Sequence, residues 1–378
     1  MIKGYKIRIY PNKEQKILIE KHFGACRFIW NYMLDLQNEN YKLGNKYIKQ
    51  YDMIRKLTGL KKEEKYKWLN EISNSSLQLV CTDLEKSYKF FFSKMNRHPK
   101  FKSKKRCKTI YPVCCNRFYF KDSKHIKVQK LGIIKCKTDF KISTGKCKFS
   151  NVRLSKELNK YFISFGLECE SQVRKLNDYS MGIDLGVKDL AVVSYGENSL
   201  VFHNINKSSK MRKLNKELKH LQKSISRKYE VNKQGNKYIK TNNIIKAENK
   251  LRKISKKISD IRNNYIHQVT HELIELLPKK IVMEKINILG LMKNKHLAKA
   301  VGEQNFYKFI EYMKYKCEWN GIEFIQANRF YPSSKKCSCC GNIKKDLKLS
   351  DRVYICKCGL NIDRDLNAAI NLKNYVAY

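Results

Sequence analysis

Acidic side chains are scarce in this chain of 378 residues: 34 Asp and Glu stand against 80 Lys and Arg, a formal net charge of +46. Proline is rarer still at 5 residues, and glycine reaches only 16, which excludes collagen-like and Pro/Gly-rich disordered compositions. Long apolar runs are missing too. Nothing approaches the ~18 consecutive apolar residues of a membrane span. The start, MIKGYKIRIYPNKEQ, has no apolar core of signal-peptide length. The expectation is a cytoplasmic protein without a membrane partner. The shortage of acid is itself informative, because a compact state this positive repels itself unless a polyanion neutralises it. Nucleic acid is that polyanion. A biased genome could favour Lys over Arg, but not a two-fold excess of positive charge. With 42% hydrophobic residues, the chain folds, and its length suffices for two or three domains.

In a cytoplasmic protein the 14 cysteines are thiols or metal ligands, not disulfides. Nine are scattered from Cys26 to Cys317 and read as small buried hydrophobes. The other five crowd into KKCSCCGNIKKDLKLSDRVYICKCG. Cys337 and Cys340 form C-x2-C, and Cys356 and Cys358 form C-x-C after fifteen intervening residues. Two close pairs at this separation predict a zinc ribbon, each pair on a tight turn with a hairpin between them. Cys339 competes with Cys340 for one ligand place, but C-x2-C gives the better knuckle. Four thiolates leave Zn2+ no open position, so the site is structural.

The pattern along the chain predicts α+β multidomain architecture. KGYKIRIY alternates basic and apolar residues as a strand does. Asn12 and Gln15 form a capping box for a helix to about residue 38, with Ile17, Phe23, Cys26 and Ile29 on its buried face. Residues 47–60 and 76–96 also read as helices. HPKFKSKKRCK is a basic connector, and HIKV, GIIKCK, KCKFSNVRL and YFISFGLECE are short strands, a small β-barrel or sheet. Strands follow over 181–205. Two heptad seams then predict an antiparallel helical hairpin, Met211 to Ile225 and Ile244 to Ile261, with 19 Lys and Arg against 4 Asp and Glu over residues 207–262. KIVMEKI, a helix stopped by Gly321, and IEFIQA complete an α/β sheet with crossovers. His267 and His271 have metal-site spacing but lack H-E-x-x-H order and read as ordinary interface residues.

Three acids sit amid apolar residues: Asp184 in M-G-I-D-L-G, Glu284 in I-V-M-E, and Asp365 in D-L-N-A-A-I-N-L. Singly, each reads as a cap or a satisfied hydrogen bond. Together, at the ends of core elements in one α/β unit, they suit Mg2+. Three converging carboxylates could hold two such ions about 4 Å apart for phosphodiester hydrolysis.

G-I-D-L-G-V-K at 182–188, M-E-K-I-N at 283–287 and C-x2-C…C-x-C-G-x3-D-R-D-x-N-A-A at 337–369, with YKIRIYPNKEQ, FGACRFIWN and HPKFKSKK, resemble the RuvC motifs, zinc ribbon and N-terminal segments of the TnpB family. These are RNA-guided DNA nucleases of insertion-sequence transposons, related to compact type V CRISPR effectors. The short C-x-C departs from the C-x-x-C of many members. The resemblance implies a wedge β-barrel at 1–11 and 98–172, and a helical recognition lobe at 12–97. It implies an RNase H-like RuvC domain at 173–330 and 359–378, with the hairpin inserted at about 207–277 and the ribbon at 331–358. It further implies Mg2+-dependent cleavage of double-stranded DNA next to a short flanking motif. A guide RNA from the transposon end would select the target, and no small-molecule substrate is involved. Asp184, Glu284 and Asp365 match the triad; Asp363 is the competitor for third place, and Asp365 is preferred because it precedes x-N-A. Gln78 and Thr82, one helical turn apart, are candidates for touching the duplex, unless they simply face solvent. Three other readings stand beside this one: a transposase or resolvase on the same scaffold without guide RNA, a nuclease-inactive RNA-guided repressor, and a basic RNA-binding scaffold.

Overall fold

The structure, a computed structural model, describes residues 1–104, 109–138, 148–169, 174–348 and 351–376. Cys107, Cys147 and the start of the KCKFSNVRL segment lie outside the described residues. The chain divides into two compact units, Met1–Glu170 and Ser171–Tyr378. Among the described residues no helix is long and apolar enough to cross a membrane.

The first unit opens with β1 (Ile2–Tyr10). Pro11 ends the strand and Asn12 caps α1 (Lys13–Lys42), with both arms of the capping box to Gln15 formed. The apolar face of α1 runs through Ile19, Phe23, Cys26, Ile29, Trp30 and Met33. Ile17, expected on that face, is 60% exposed; at 100° per residue its place falls to Ile19. Then come α2 (Gln50–Leu60) and α3 (Asn74–Phe92), both a few residues shorter than the sequence suggests. Leu77, Cys81, Leu84 and Tyr88 bury the inner face of α3. The connector lies along α1: the Trp30 indole donates to the Lys100 carbonyl (3.1 Å) and the Asn31 amide to that of Lys102 (2.9 Å).

Six more strands follow: β2 (Thr109–Pro112), β3 (Phe118–Asp122), β4 (His125–Val128), β5 (Gly132–Lys137), β6 (Phe149–Glu157) and β7 (Lys160–Glu168). Sequence patterning misses β2 and β3. With β1 they form an antiparallel sheet in the order β2-β6-β7-β1-β5-β4-β3, so the N-terminal strand is central. No ladder joins β2 to β3 among the described residues, so the hydrogen bonding is that of a sheet. That sheet curls: Phe118 on β3 meets Phe149 on β6 at 5.0 Å between ring centroids, although five places separate those strands. Phe120 and Phe165 complete the aromatic filling.

The second unit is built on a five-stranded sheet, ordered β10-β9-β8-β13-β14. Strands β8 (Asn177–Leu185), β9 (Asp189–Tyr195) and β10 (Asn198–His203) form an antiparallel meander. Helices α4 (Ser209–Val231) and α5 (Asn242–Glu275) make the expected hairpin, closed at its tip by the two-residue strands β11 (Lys233–Gln234) and β12 (Lys237–Tyr238). Met211, Leu214, Ile254 and Ile258 form the seam. Strand β13 (Pro278–Glu284) returns parallel to β8. The chain continues through α6 (Ile288–Lys293), α7 (Ala298–Gln304) and α8 (Phe306–Asn320) to β14 (Glu323–Ala327), parallel to β13. Gly321, at φ +70°, stops α8 in the left-handed conformation that glycine adopts without strain. A hairpin of β15 (Val353–Ile355) and β16 (Asn361–Asp363) leads directly into α9 (Arg364–Lys373). His267 stacks on Tyr312 (centroids 4.0 Å), a packing contact between α5 and α8.

Alternation along the central strands gives the sheet two different faces. Met181, Ile183, Ile281 and Met283 join the core beneath α5 and α8. Residues of the other parity, Gly182, Asp184, Val282 and Glu284, face the opposite side. There Val282 and Ala327 pack on Leu372 of α9.

Candidate active site and thiolate centre

Three peptide segments far apart in sequence meet on the α9 face. The parallel register pairs Val282 with Gly182 and Met283 with Ile183, so Asp184 and Glu284 lie side by side at the same end of adjacent strands. Helix α9 crosses above them, its small residues Ala368 and Ala369 fully buried. The contact is so close that a Cβ on Gly182 would lie 2.0 Å from the Ala369 carbonyl oxygen and 2.3 Å from the Lys373 nitrogen. Only hydrogen fits, and this approach brings the first turn of α9, with Asp365, over the strand ends.

The electrostatics distinguish these acids from structural ones. Asp184 is 8% exposed, and neither its carboxylate nor that of Glu284 has a hydrogen-bond or ion-pair partner among the described residues. Burial, then the charges of Asp365 and Glu284, push the Asp184 carboxyl well above the usual carboxylate range; Arg364 opposes this in part. Burial alone raises Glu284. A buried carboxylate without a compensating partner is expensive, so the satisfied-hydrogen-bond reading fails for both. Carboxylate oxygens are the hard donors that a divalent cation such as Mg2+ takes. The three do not draw together as tightly as the cysteines described below.

Asp363 has a different task. It is the N-cap of α9, its Oδ1 accepting from the backbone N–H groups of Asp365 (2.9 Å) and Leu366 (3.2 Å). Among the acids that raise Asp184, Asp365 contributes most and Asp363 least. Beside them opens a cleft of about 510 Å3 lined by Asp363, Asp365, Lys188, Asp189, His203 and Lys207. His203 hydrogen-bonds Asp189 through Nδ1 (2.7 Å).

The four cysteines expected in the ribbon come together. The sulfurs of Cys337, Cys340, Cys356 and Cys358 lie within 4.8 Å of one another, the one such group among the described residues. Two pairs, Cys337–Cys358 and Cys340–Cys356, stand 3.6 Å apart. Four sulfurs about 2.3 Å from one zinc ion stand ~3.8 Å apart in a tetrahedron, so the thiols fit a structural Zn2+. Cys339 is exposed and outside the group. Gly341 (φ +75°) and Gly359 (φ +91°) follow the two pairs in left-handed conformation, and the C-x-C pair places both its sulfurs in the group. Burial would raise the Cys337 thiol, but the backbone N–H groups of Cys340 and Cys339 and the neighbouring thiols outweigh it and bring it down to about 7.

What sequence reasoning missed is the joint between the two centres. Asn367, fully buried, accepts from the Ser338 N–H (3.0 Å) and donates to the Lys336 carbonyl (2.8 Å). Asn371, one turn later, donates to the Ser333 (2.8 Å) and Lys336 (2.6 Å) carbonyls. The signal was present as the i, i+4 asparagines of D-L-N-A-A-I-N-L. Removing one such partner strands buried backbone groups at about 1–3 kcal/mol each. Asn367→Ala is therefore expected to lower Tm by several degrees and to let a chelator strip the thiolate centre faster; unchanged stripping kinetics would show that the joint does not brace the ribbon. Of the other candidates, Thr82 accepts from the Gln50 amide (2.9 Å), tying α2 to α3, and Gln78 is half-buried one turn earlier.

Comparison with known proteins agrees with this architecture. A family model described as "Helix-turn-helix domain", of the OrfB_IS605 group, matches residues 1–46; in the structure that span holds β1 and the single long helix α1. "Probable transposase", of the same group, matches 167–295, and "Cas12f1-like, TNB domain" matches 306–372. A Streptomyces pristinaespiralis protein, provisionally named RNA-guided DNA endonuclease, is 26% identical over 98% of this chain and 88% of its own. An Escherichia coli K12 protein with the same provisional name, InsQ, is 29% identical over 98% and 91%. In a cryo-EM structure of a Cas12f1–sgRNA–target DNA complex, the protein shares the fold with TM-score 0.55 at 12% identity, covering 99% of both chains.

Proposed function

We propose that this chain, which belongs to the TnpB family of IS605-type transposons, is an RNA-guided DNA endonuclease. The observation that carries the reading is the meeting of buried Asp184 and half-buried Glu284, neither side chain with a partner among the described residues, with half-buried Asp365 on the first turn of α9. In this reading the second unit is the RuvC nuclease domain, with the hairpin and ribbon as insertions. The curled sheet of the first unit is the wedge barrel, and its helices form the recognition lobe. Guide RNA and double-stranded target DNA are the partners, the protein works in the cytoplasm, and Gln78 and Thr82 remain candidates for duplex contact.

Asp184, Glu284 and Asp365 would hold Mg2+, two ions in the fullest form of the reading. Bound there, the metal supplies the charge that activates water and stabilises the leaving oxygen of a phosphodiester. The chain's own residues do the rest. The strands fix two carboxylates side by side, and α9 lays the third over them. Asp363 holds the first turn of α9 in place. Arg364 sits 3.4 Å from Asp365 and limits the repulsion among the acids. Lys188 and Lys207 line the cleft where an incoming phosphate backbone would lie. Cys337, Cys340, Cys356 and Cys358 hold Zn2+ outside the chemistry and act through Asn367 and Asn371. On that view Cys356→Ser should lower both cleavage and Tm; full cleavage with a native Tm would remove the ribbon from any positioning role.

The test is to express the gene with its native flanking DNA, sequence the RNA that co-purifies, and supply a matching double-stranded target with Mg2+. One abundant RNA running past the 3′ end of the gene, with cleavage of the matched target alone, is the expected result. No defined RNA, with binding to the element's DNA ends, would put the transposase reading first.

A further inference from the structure

A second site lies in the helical part of the first unit, remote in sequence from the carboxylates. The C-terminal ends of α1 and α3, the loop after α1 and the connector enclose a cavity of about 340 Å3. Its wall is a continuous aromatic cluster: Tyr47 meets Tyr88 and Phe92 edge-on (5.3 and 5.7 Å), and His98 packs edge-on against Tyr88 and Phe91 (5.4 and 5.2 Å). At the mouth, Tyr41 is 85% and Phe92 62% exposed. Large aromatic rings left in water around a cavity mark a binding surface. The rim is polar as well. Asn38 and Asn45 line the cavity, and their side-chain amides make no hydrogen bond among the described residues. Exposed Lys42, Lys46, Lys94 and Arg97 flank the lining residues in sequence, with no ion pair among the described residues.

We infer that this cavity receives a single unpaired nucleobase, stacked on the rings at its mouth, with the adjoining phosphates on the flanking cations. Three features select that occupant. A flat π-faced ligand matches aromatic walls, and stacking is how proteins hold unpaired bases without regard to sequence. Free amides can meet the hydrogen-bonding edge of a base. The flanking charge is positive, which suits a phosphate chain and opposes docking of a second copy of a +46 chain. The inference rests on the nucleic-acid partners of the proposed function and on none of its chemistry.

The test uses the full-length Asp184→Ala protein, so that cleavage plays no part. Probes are a 12-nucleotide single-stranded RNA, the DNA of the same sequence, and the RNA as a duplex. Tyr41→Ala with Phe92→Ala should weaken binding of one or both single strands by about tenfold or more and leave duplex binding unchanged. The arm that weakens identifies the source of the base. Photo-crosslinking of a 4-thiouridine probe should label the peptides carrying Tyr41 or Phe92. Equal loss for duplex and single strands, or no loss, overturns the inference. A change in oligomeric state with unchanged RNA binding also overturns it and assigns the surface to a second copy. If the parent binds no single strand at all, the guided-nuclease reading fails with it; if it binds insensitively to these substitutions, only this site fails.

Discussion

Asp184→Ala should cut at less than about one-thousandth of the wild-type rate, while guide and target binding stay within about twofold. In the proposed site, one missing carboxylate would leave the metal short of a donor and change none of the basic surface. Asp184→Asn separates charge from volume and adds a stability prediction. A carboxyl whose folded-state pKa is raised binds its proton more tightly folded than unfolded. Its contribution is therefore fully present below the unfolded value near 4 and is lost as pH rises through the folded one. Asp184 and Glu284 both carry this sign. Metal-free protein is thus strained at neutral pH by its own acids, and Asp184→Asn should raise its Tm, by about 2–4 °C for each kcal/mol relieved. The gain should shrink toward pH 4. Mg2+ should raise the wild-type Tm at pH 7.5 and move that of the Asn variant far less. Thermal scans with and without Mg2+ at two pH values check all of this. A destabilised Asn variant would mean that Asp184 is a structural carboxylate, and retained cutting would remove it from the site.

Gly182→Ala has the second-largest expected effect and touches no acid. The added methyl meets the backbone of α9 at Ala369 and Lys373, not a flexible side-chain end, so the helix itself must shift. Overpacking of this kind costs about 1–3 kcal/mol, several degrees of Tm. The displaced helix carries Asp365 and both clamp asparagines away from their partners. Cleavage should fall by at least about a hundredfold, since misplacement by about 1 Å can cost that much. RNA binding through the first unit should persist. Native cutting by Gly182→Ala would mean that the strand and helix do not approach as described.

These two residues show where reading the sequence succeeds and stops. Local chemistry was legible: Asn12 with Gln15 starts a helix, Gly321 ends one, the leucine and isoleucine seams pair α4 with α5, and two cysteine pairs form one centre. The acids could be listed because carboxylates are conspicuous in apolar runs. What could not be read was which atoms meet. Gly182 looks like any strand glycine until α9 lies on it. That Asp363 caps α9 could be seen only once the helix start was in place. Strands β2 and β3 escaped because four or five residues, one run ending in Pro112, carry too little periodicity, and β2 pairs with β6, far along the chain. Ile17 was misassigned to a buried face by a two-residue error of phase.

The wide spacing of the acids along the chain has a consequence for biosynthesis. Asp184 and Asp365 are 181 positions apart, and ribosomes add about 5–20 residues each second. On the order of ten to forty seconds therefore pass between the first acid and the last. Through that interval the emerging polypeptide can fold its first unit, while the three acids stay apart until α9 docks. On the proposed function, a nascent or prematurely terminated chain that lacks α9 would be unable to cut.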